Sequence, residues 1–339
     1  MSVRVLFVVA LLALCACAPV VQKPLQPPAG FAGPRLERDA FISFDGARLG
    51  LTVWPAAGGE PGVVVVALHG MNDYAQGFWM TGPWWARRGI TTYAYDQRGF
   101  GRSPQRGVWG GERLMTEDLR VICALVRQRH PKAVIAVVGE SMGGAVAIRA
   151  FATDRPPDAD RLVLLAPAVW GWSSQPILNR AGLWIGAHVI GDRVIEPPRM
   201  FTSRIRASDN IEELRRMGRD PRMIWGTRPD TVYGLVTLMD DAPESLRKVK
   251  VPVAYLYGAR DDLVPVKPTL KAAAALKPGD RTAFYERGWH ILLRDLQAEV
   301  VWKDVEAFMR DPRAPFPSGA PPIPKPGWKP PKRQDAFVP

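Results

Sequence analysis

The chain has 339 residues, 47% hydrophobic and 23% charged, enough for one large domain or two small ones with a sizeable core. Its formal net charge of +12 comes from basic residues scattered singly. There is no arginine–aromatic ladder and no zinc-finger spacing, which argues against nucleic acid and leaves an anionic surface or plain solubility as readings of the charge.

The N-terminus reads "MSVRVLFVVALLALCACAP". One arginine precedes a short apolar run ending in small residues, the shape of a secretory signal and too short for a comfortable membrane span. Cys17, preceded by Ala16, also fits the lipidation point of a lipoprotein signal, and fits it better than Cys15 behind the bulkier Leu14. The alternatives are plain secretion with a cut near Ala18, or an uncleaved anchor. The expectation is a signal peptide over 1–16, lipid on Cys17, and a proline-rich spacer over 17–34. It places the body in a bacterial envelope, facing the periplasm and held to a membrane surface. The outer membrane is favoured because no aspartate follows the cysteine. The third cysteine, Cys123 in "VICALV", reads as a core residue of a helix. No intrachain disulfide is then expected in the body.

The body is expected over 35–310. "AFISFDGARLGLTVW" alternates around "DG" and predicts a hairpin. "GVVVVAL", "TTYAYD", "AVIAVVG", "RLVLLAP" and "VPVAYLYG" are short apolar runs, as in strands covered on both faces. Helical periodicity appears in "MTEDLRVICALVRQRH", with Thr116 available to start it, from Ser141 to Thr153, and in "LQAEVVWKDVEAFMR". The alternation implies an α/β fold: a mostly parallel central sheet with helices on both faces. From about 170 to 246 the rhythm breaks, and a helical cap inserted above the sheet is predicted, either lidding an apolar pocket or merely packing. Over 311–339 a basic, proline-rich tail reads as exposed and disordered.

"GESMGG" follows the run "AVIAVV". G-x-S-x-G between a buried strand and a helix is a nucleophile elbow. Gly139 and Gly143 meet its demand for small residues, and Ser141 would project at the carboxyl ends of the strands. "HGMNDYAQG" and "GESMGG" both lack the G-x-G-x-x-G of a dinucleotide site. Among the four histidines, His290 in "GWHILLRD" lies after the last strand, where it can reach the serine as base. His69 reads as structural, His130 as a cap or surface residue, and His188 falls in the insertion. Asp261 and Asp262 follow a strand in "YLYGARDDLVP", and either can orient the base. The order Ser, Asp, His is the order of this fold. The backbone N–H groups of Met71, after "LHG", and Met142 are candidates for an oxyanion hole.

"LHG", "YDQRGFGRS", "GESMGG", "LLAP", "YGARDDLVP" and "GWH" occur in the order seen in alpha/beta hydrolases of the monoacylglycerol lipase and lysophospholipase type, the serine aminopeptidase S33-like group, which this chain resembles over about 41–310. The resemblance implies the alpha/beta-hydrolase fold, Ser141 as nucleophile and His290 as base. It selects Asp261 over Asp262, because the acid stands three residues after the strand-end glycine, Gly258. It carries Met71 and Met142 onto the oxyanion donors and makes Asp96 and Arg98 braces of a structural loop. "HGMNDYAQG" and the cap depart from the family's pattern. The implied activity is hydrolysis of a single-chain lipid ester such as a monoacylglycerol or lysophospholipid, with Arg204 and Arg206 available to a phosphate. Alternatives are a broad carboxylesterase, a prolyl aminopeptidase, or a non-catalytic envelope protein. No metal, no organic cofactor and no obligate protein partner is expected.

Overall fold

The computed structural model describes residues 18–196 and 205–329. The leader with Cys17, a stretch of the cap that includes Arg204, and residues 330–339 lie outside the described residues.

Strands β1 (Arg35–Leu36), β2 (Ala40–Ile42) and β3 (Arg48–Trp54) pair antiparallel. β4 (Val63–Leu68), β5 (Ile90–Tyr95), β6 (Val134–Glu140), β7 (Arg161–Leu165), β8 (Val253–Gly258) and β9 (Arg281–Tyr285) follow. Together they form one nine-stranded sheet ordered β1-β2-β3-β5-β4-β6-β7-β8-β9. The pairing of β3 with β5 is antiparallel, and every pairing from β5 to β9 is parallel. β4 shows why its sequence does not alternate. Val64, Val66 and Leu68 enter the core on one face, and Val63, Val65 and Ala67 enter the core on the other. A strand covered on both sides has no polar face to write.

The flanking helices are α1 (Thr81–Ala86), α2 (Glu112–Arg129) and α3 (Met142–Phe151). α2 begins ahead of the expected Thr116. Gly111, at φ 79, ends the preceding loop, and the Thr116 hydroxyl donates to the Arg113 carbonyl inside the helix instead of capping it. Cys123 is fully buried on α2.

Between β7 and β8 the chain rises into the cap: α4 (Ile177–Val189), α5 (Ile211–Arg219), α6 (Pro229–Met239) and α7 (Ala242–Leu246). α4 packs against α6 and leaves Ile177, Leu178, Ile185 and Val189 exposed. α5 is tied down closely. Asn210 caps it, Tyr74 donates to Asp220 just beyond it, and Trp79 donates to Glu213 on it. α8 (Val266–Ala273) and α9 (Ala298–Arg310) complete the layers.

Both proline-rich flanks pack on the body where they are described, and for the C-terminal one this departs from the exposed, disordered tail expected. The N-terminal spacer does not stand off the body. Val21 bridges to Trp109, Gln22 donates from its side chain to the Val108 carbonyl, and the Leu25 N–H donates to Asp45. The C-terminal segment packs along β9 through residue 329. The Phe284 N–H donates to the Pro321 carbonyl, Phe316 and Ile323 are buried, and Trp328 meets Phe284 edge-on. Proline lacks a donor but keeps its carbonyl, so an extended proline-rich chain can still cover a sheet edge. The compact body therefore extends past the expected boundary at 310.

Candidate active site

β6 ends at Glu140 and α3 begins at Met142, so a single residue makes the turn between them. Ser141 takes φ 50 and ψ −116, a left-handed conformation unusual for a residue with a side chain. Crowding explains the flanking glycines. A Cβ on Gly139 would lie 2.7 Å from the Gly143 carbonyl oxygen, and one on Gly143 would lie 2.4 Å from that of Leu68. The turn is held from β7, where the Ser141 N–H donates to the Leu165 carbonyl.

His290 lies in the loop after β9 and is almost fully buried. Its Nδ1 stands 2.8 Å from Asp261 Oδ2. The other Asp261 oxygen accepts the N–H groups of Leu263 and Val264, so one carboxylate both orients the ring and caps its own turn. Asp262 instead accepts the backbone N–H of Arg206. With Nδ1–H donated to Asp261, Nε2 is left as the basic nitrogen. Burial alone would lower the His290 pKa, but the charge and hydrogen bond of Asp261, helped by Glu140, outweigh it, and the net direction is upward.

Ser141 and His290 line one cavity of about 540 Å³. Its remaining wall divides into two kinds of surface. Trp172, Leu183, Leu235, Val236, Met239 and Leu263 present apolar surface, much of it from the cap. Asn72, Asp73, Glu140 and Arg294, with Gln175 and Asn179 of the cap, present the polar part. Gly70 sits against the elbow, where a Cβ on it would lie 3.3 Å from Ser141 Cβ. Met71 is the next residue, and Met142 opens α3 with an N–H that has no acceptor inside the helix. Met142 thus follows the serine directly, and Met71 follows the glycine that sits against it and lines the same cavity.

The other histidines are engaged elsewhere. His69 is buried, with Nδ1 at 2.7 Å from the Gly70 carbonyl and Nε2 accepting the Gln97 N–H; burial lowers its pKa, which keeps it neutral. His130 ends α2 beside the Tyr93 hydroxyl, and His188 stacks on Trp184 in the cap. Arg206 does not line the cavity, and its guanidinium lies over the Trp289 ring.

A buried charge cluster next to Ser141 has no counterpart among the motifs of the sequence. In this cluster Arg294 Nη2 lies 2.8 Å from Glu140 Oε1 and 2.7 Å from Asp73 Oδ2, and Nη1 lies 3.7 Å from Glu213 Oε1 on α5. All four residues are less than a tenth exposed. Their carboxylates offset the cost of burying the arginine and hold its pKa up. The available signal was a charged residue inside the apolar run "HILLRDL", with an acid at the x of G-x-S. Among the described residues no group of three or more His, Cys, Asp or Glu is arranged to hold a metal ion.

A strained serine between strand and helix on a largely parallel sheet, with a histidine that lines the same cavity and is held from behind by a carboxylate, defines an α/β hydrolase. Residues 59–297 match the Hydrolase_4 model, described as serine aminopeptidase, S33, and the chain belongs to that family of serine hydrolases. It is similar to a monoacylglycerol lipase of Mycolicibacterium smegmatis, 27% identical over 236 residues that cover 67% of this chain and 80% of the relative. It is also similar to the monoglyceride lipase of Homo sapiens, 24% identical, covering 76% and 84%. Among solved structures, a monoglyceride lipase variant from Saccharomyces cerevisiae superposes with a TM-score of 0.68 at 16% identity, covering 86% of this chain and 100% of that one. A Paleococcus ferrophilus monoacylglycerol lipase gives 0.63 at 20%, covering 78% and 99%. These two likenesses show the fold.

Proposed function

We propose that the protein is a serine ester hydrolase acting on single-chain acyl esters, monoacylglycerols or lysophospholipids, through an acyl-enzyme. Ser141 Oγ attacks the carbonyl carbon and gives its proton to His290 Nε2. The oxyanion is held by the N–H groups of Met71 and Met142, assisted by the positive end of α3. Collapse expels the alcohol, which takes the proton from His290, and water activated by the same nitrogen releases the fatty acid. Asp261 fixes the tautomer and offsets the transient imidazolium charge. The observation that carries this reading is the 2.8 Å contact by which Asp261 holds His290, a residue that lines the same cavity as Ser141. The apolar cap wall suits an acyl chain. The lipase names of the relatives point the same way.

A side-by-side rate comparison of monoacylglycerol, lysophosphatidylcholine, short nitrophenyl esters and a prolyl amide tests it. Long-chain esters are expected to lead. A clear preference for acetyl esters would leave a carboxylesterase, and turnover confined to the amide would replace the reading with an aminopeptidase.

The lipid address belongs to the same proposal: Cys17 carries lipid and the body faces the periplasm at a membrane surface. The exposed apolar side chains of α4 support a position near lipid. No helix among the described residues is long and apolar enough to cross a membrane. Mass spectrometry of the N-terminal peptide is expected to show an acylated Cys17, and an unmodified cysteine would contradict the anchor.

A further inference from the structure

His290 lies between β9 and α9, outside any strand or helix, so no ladder fixes where its backbone stands. Asp261 sets the angle of the ring through Nδ1, but a well-oriented ring can still be misplaced relative to Ser141. The main chain is held from the cap. The Ala207 carbonyl, just ahead of α5, accepts the His290 N–H at 3.1 Å and the Ile291 N–H at 3.0 Å. The residues that follow reach the same loop with their side chains. Ser208 Oγ donates to Asp295 Oδ1 at 2.6 Å, Asp209 accepts the Leu296 N–H, and Asn210 Nδ2 donates to the Arg294 carbonyl.

Asp295 joins the two sides. Its other oxygen, Oδ2, accepts the N–H of Trp289, the residue before the base, at 2.8 Å. Ser208 Oγ in turn accepts the Asn210 N–H, and Asn210 Oδ1 caps α5. A continuous chain of hydrogen bonds therefore runs from the first turn of α5 through Ser208 and Asp295 to Trp289. Ser208 is fully buried and Asp295 is 2% exposed. Burial, with like charge from Asp209 and Glu140, pushes the Asp295 carboxyl up to about 7 against the pull of its two hydrogen bonds. A buried carboxyl is a costly way to tie two loops together, and carboxyls perturbed in this way concentrate at working sites.

Resting on the ester-hydrolase reading above, we propose that Asp295 is a positioning residue, through which the cap segment 207–210 holds the backbone of His290 where Nε2 serves Ser141. Asp295 is not among the residues that line the cavity, so it acts through Trp289 and the base and not on the substrate. The cap then has two separate duties. Leu183, Leu235 and Met239 wall the cavity, while the start of α5 sets the base. A change at the start of α5 acts on the chemical step, whatever acyl chain is bound.

The test is steady-state kinetics of the full chain on a short nitrophenyl ester and a long-chain ester, with folding checked by melting temperature. Ser208→Ala removes the cap half of the bridge, changes no charge and leaves Asp295 on Trp289. It is expected to lower kcat on both esters by on the order of tenfold, with KM moved by less than about twofold. Asp295→Ala removes both halves and is expected to lower kcat by on the order of 10²-fold. Asp295→Asn loses the same charge but keeps the bridge, its amide oxygen accepting the Trp289 N–H and its amide N–H₂ donating to Ser208 Oγ. It is expected to return kcat to within a few-fold of wild type, which separates positioning from loss of charge. Where Asp295→Ala does not fold, Ser208→Ala decides the matter. A folded S208A protein with wild-type kcat on both esters, a loss confined to KM, or an Asp295→Asn variant as slow as a folded Asp295→Ala would each overturn the proposal while leaving ester hydrolysis standing. No turnover of any ester by the wild type would instead remove the reading on which it rests.

Discussion

Arg98 and Arg294 are each 1% exposed and each surrounded by carboxylates, yet the two clusters end differently. Arg98 bonds through Nε and Nη2 to Asp118 and through Nη1 and Nη2 to Asp45. The remaining acceptor capacity is taken up by the Ser43 hydroxyl and the N–H groups of Leu25 and Ala47. Every charged atom there has a partner inside the protein, and none of these residues lines the cavity. Arg294 keeps an unpartnered Nε, and Glu140 keeps an unpartnered Oε2, in the wall of the cavity that holds Ser141 and His290. A closed cluster braces a loop. The other cluster keeps unpartnered atoms directly behind the cavity wall, next to the serine and the histidine.

Substitutions test that contrast. The largest effect is expected at the serine itself, where Ser141→Ala should lower kcat for ester turnover by about 10⁴-fold or more with an unchanged melting temperature. At the acid, Asp261→Asn should cost on the order of 10²–10⁴-fold at neutral pH, since the amide disturbs the tautomer of His290, while Asp262→Asn should stay within a few-fold. Comparable losses at both positions would break the assignment. The two arginines separate next. Arg98→Met strands Asp45 and Asp118 and should lower stability by about 3–5 kcal/mol, read by denaturant unfolding, with the pH–rate profile of the folded fraction unmoved. Arg294→Met should alter both stability and profile.

The smallest predicted effect is a titration shift. In the proposed mechanism His290 must be neutral to accept the serine proton, so activity is expected to rise with pH through its pKa. That pKa lies above the usual histidine value, against burial and the opposing charge of Arg294, because Asp261 and Glu140 both favour the imidazolium. The acidic limb of kcat/KM should therefore fall above about pH 6.5. Glu140→Gln removes one of the raising charges and should move that limb to lower pH, whereas substitutions at the Arg98 cluster should not.

Legibility in the sequence followed how local each feature is. Parallel strands such as Val63–Leu68 announce themselves as unbroken apolar runs because both faces are covered, and the elbow is written in six consecutive residues. Asp261 was ambiguous by spacing alone and needed the resemblance, since "DD" offers two carboxylates one residue apart. The Arg294 cluster was hidden because Asp73, Glu140, Glu213 and Arg294 come from four distant segments that only the sheet order and cap bring together. The tail misled through composition. Its prolines argued for exposed chain, while the anchors Phe316, Ile323 and Trp328 were the signal that it docks on β9.

The central claim is that Ser141 is the nucleophile of a serine hydrolase, and covalent trapping tests it most directly. The full chain is treated with a fluorophosphonate and its peptides are read by mass spectrometry. The prediction is one phosphonylated residue, Ser141, with loss of ester turnover in proportion to labelling. Ester turnover that persists with Ser141 unlabelled, or an adduct on a different serine that tracks the loss of activity, would contradict it.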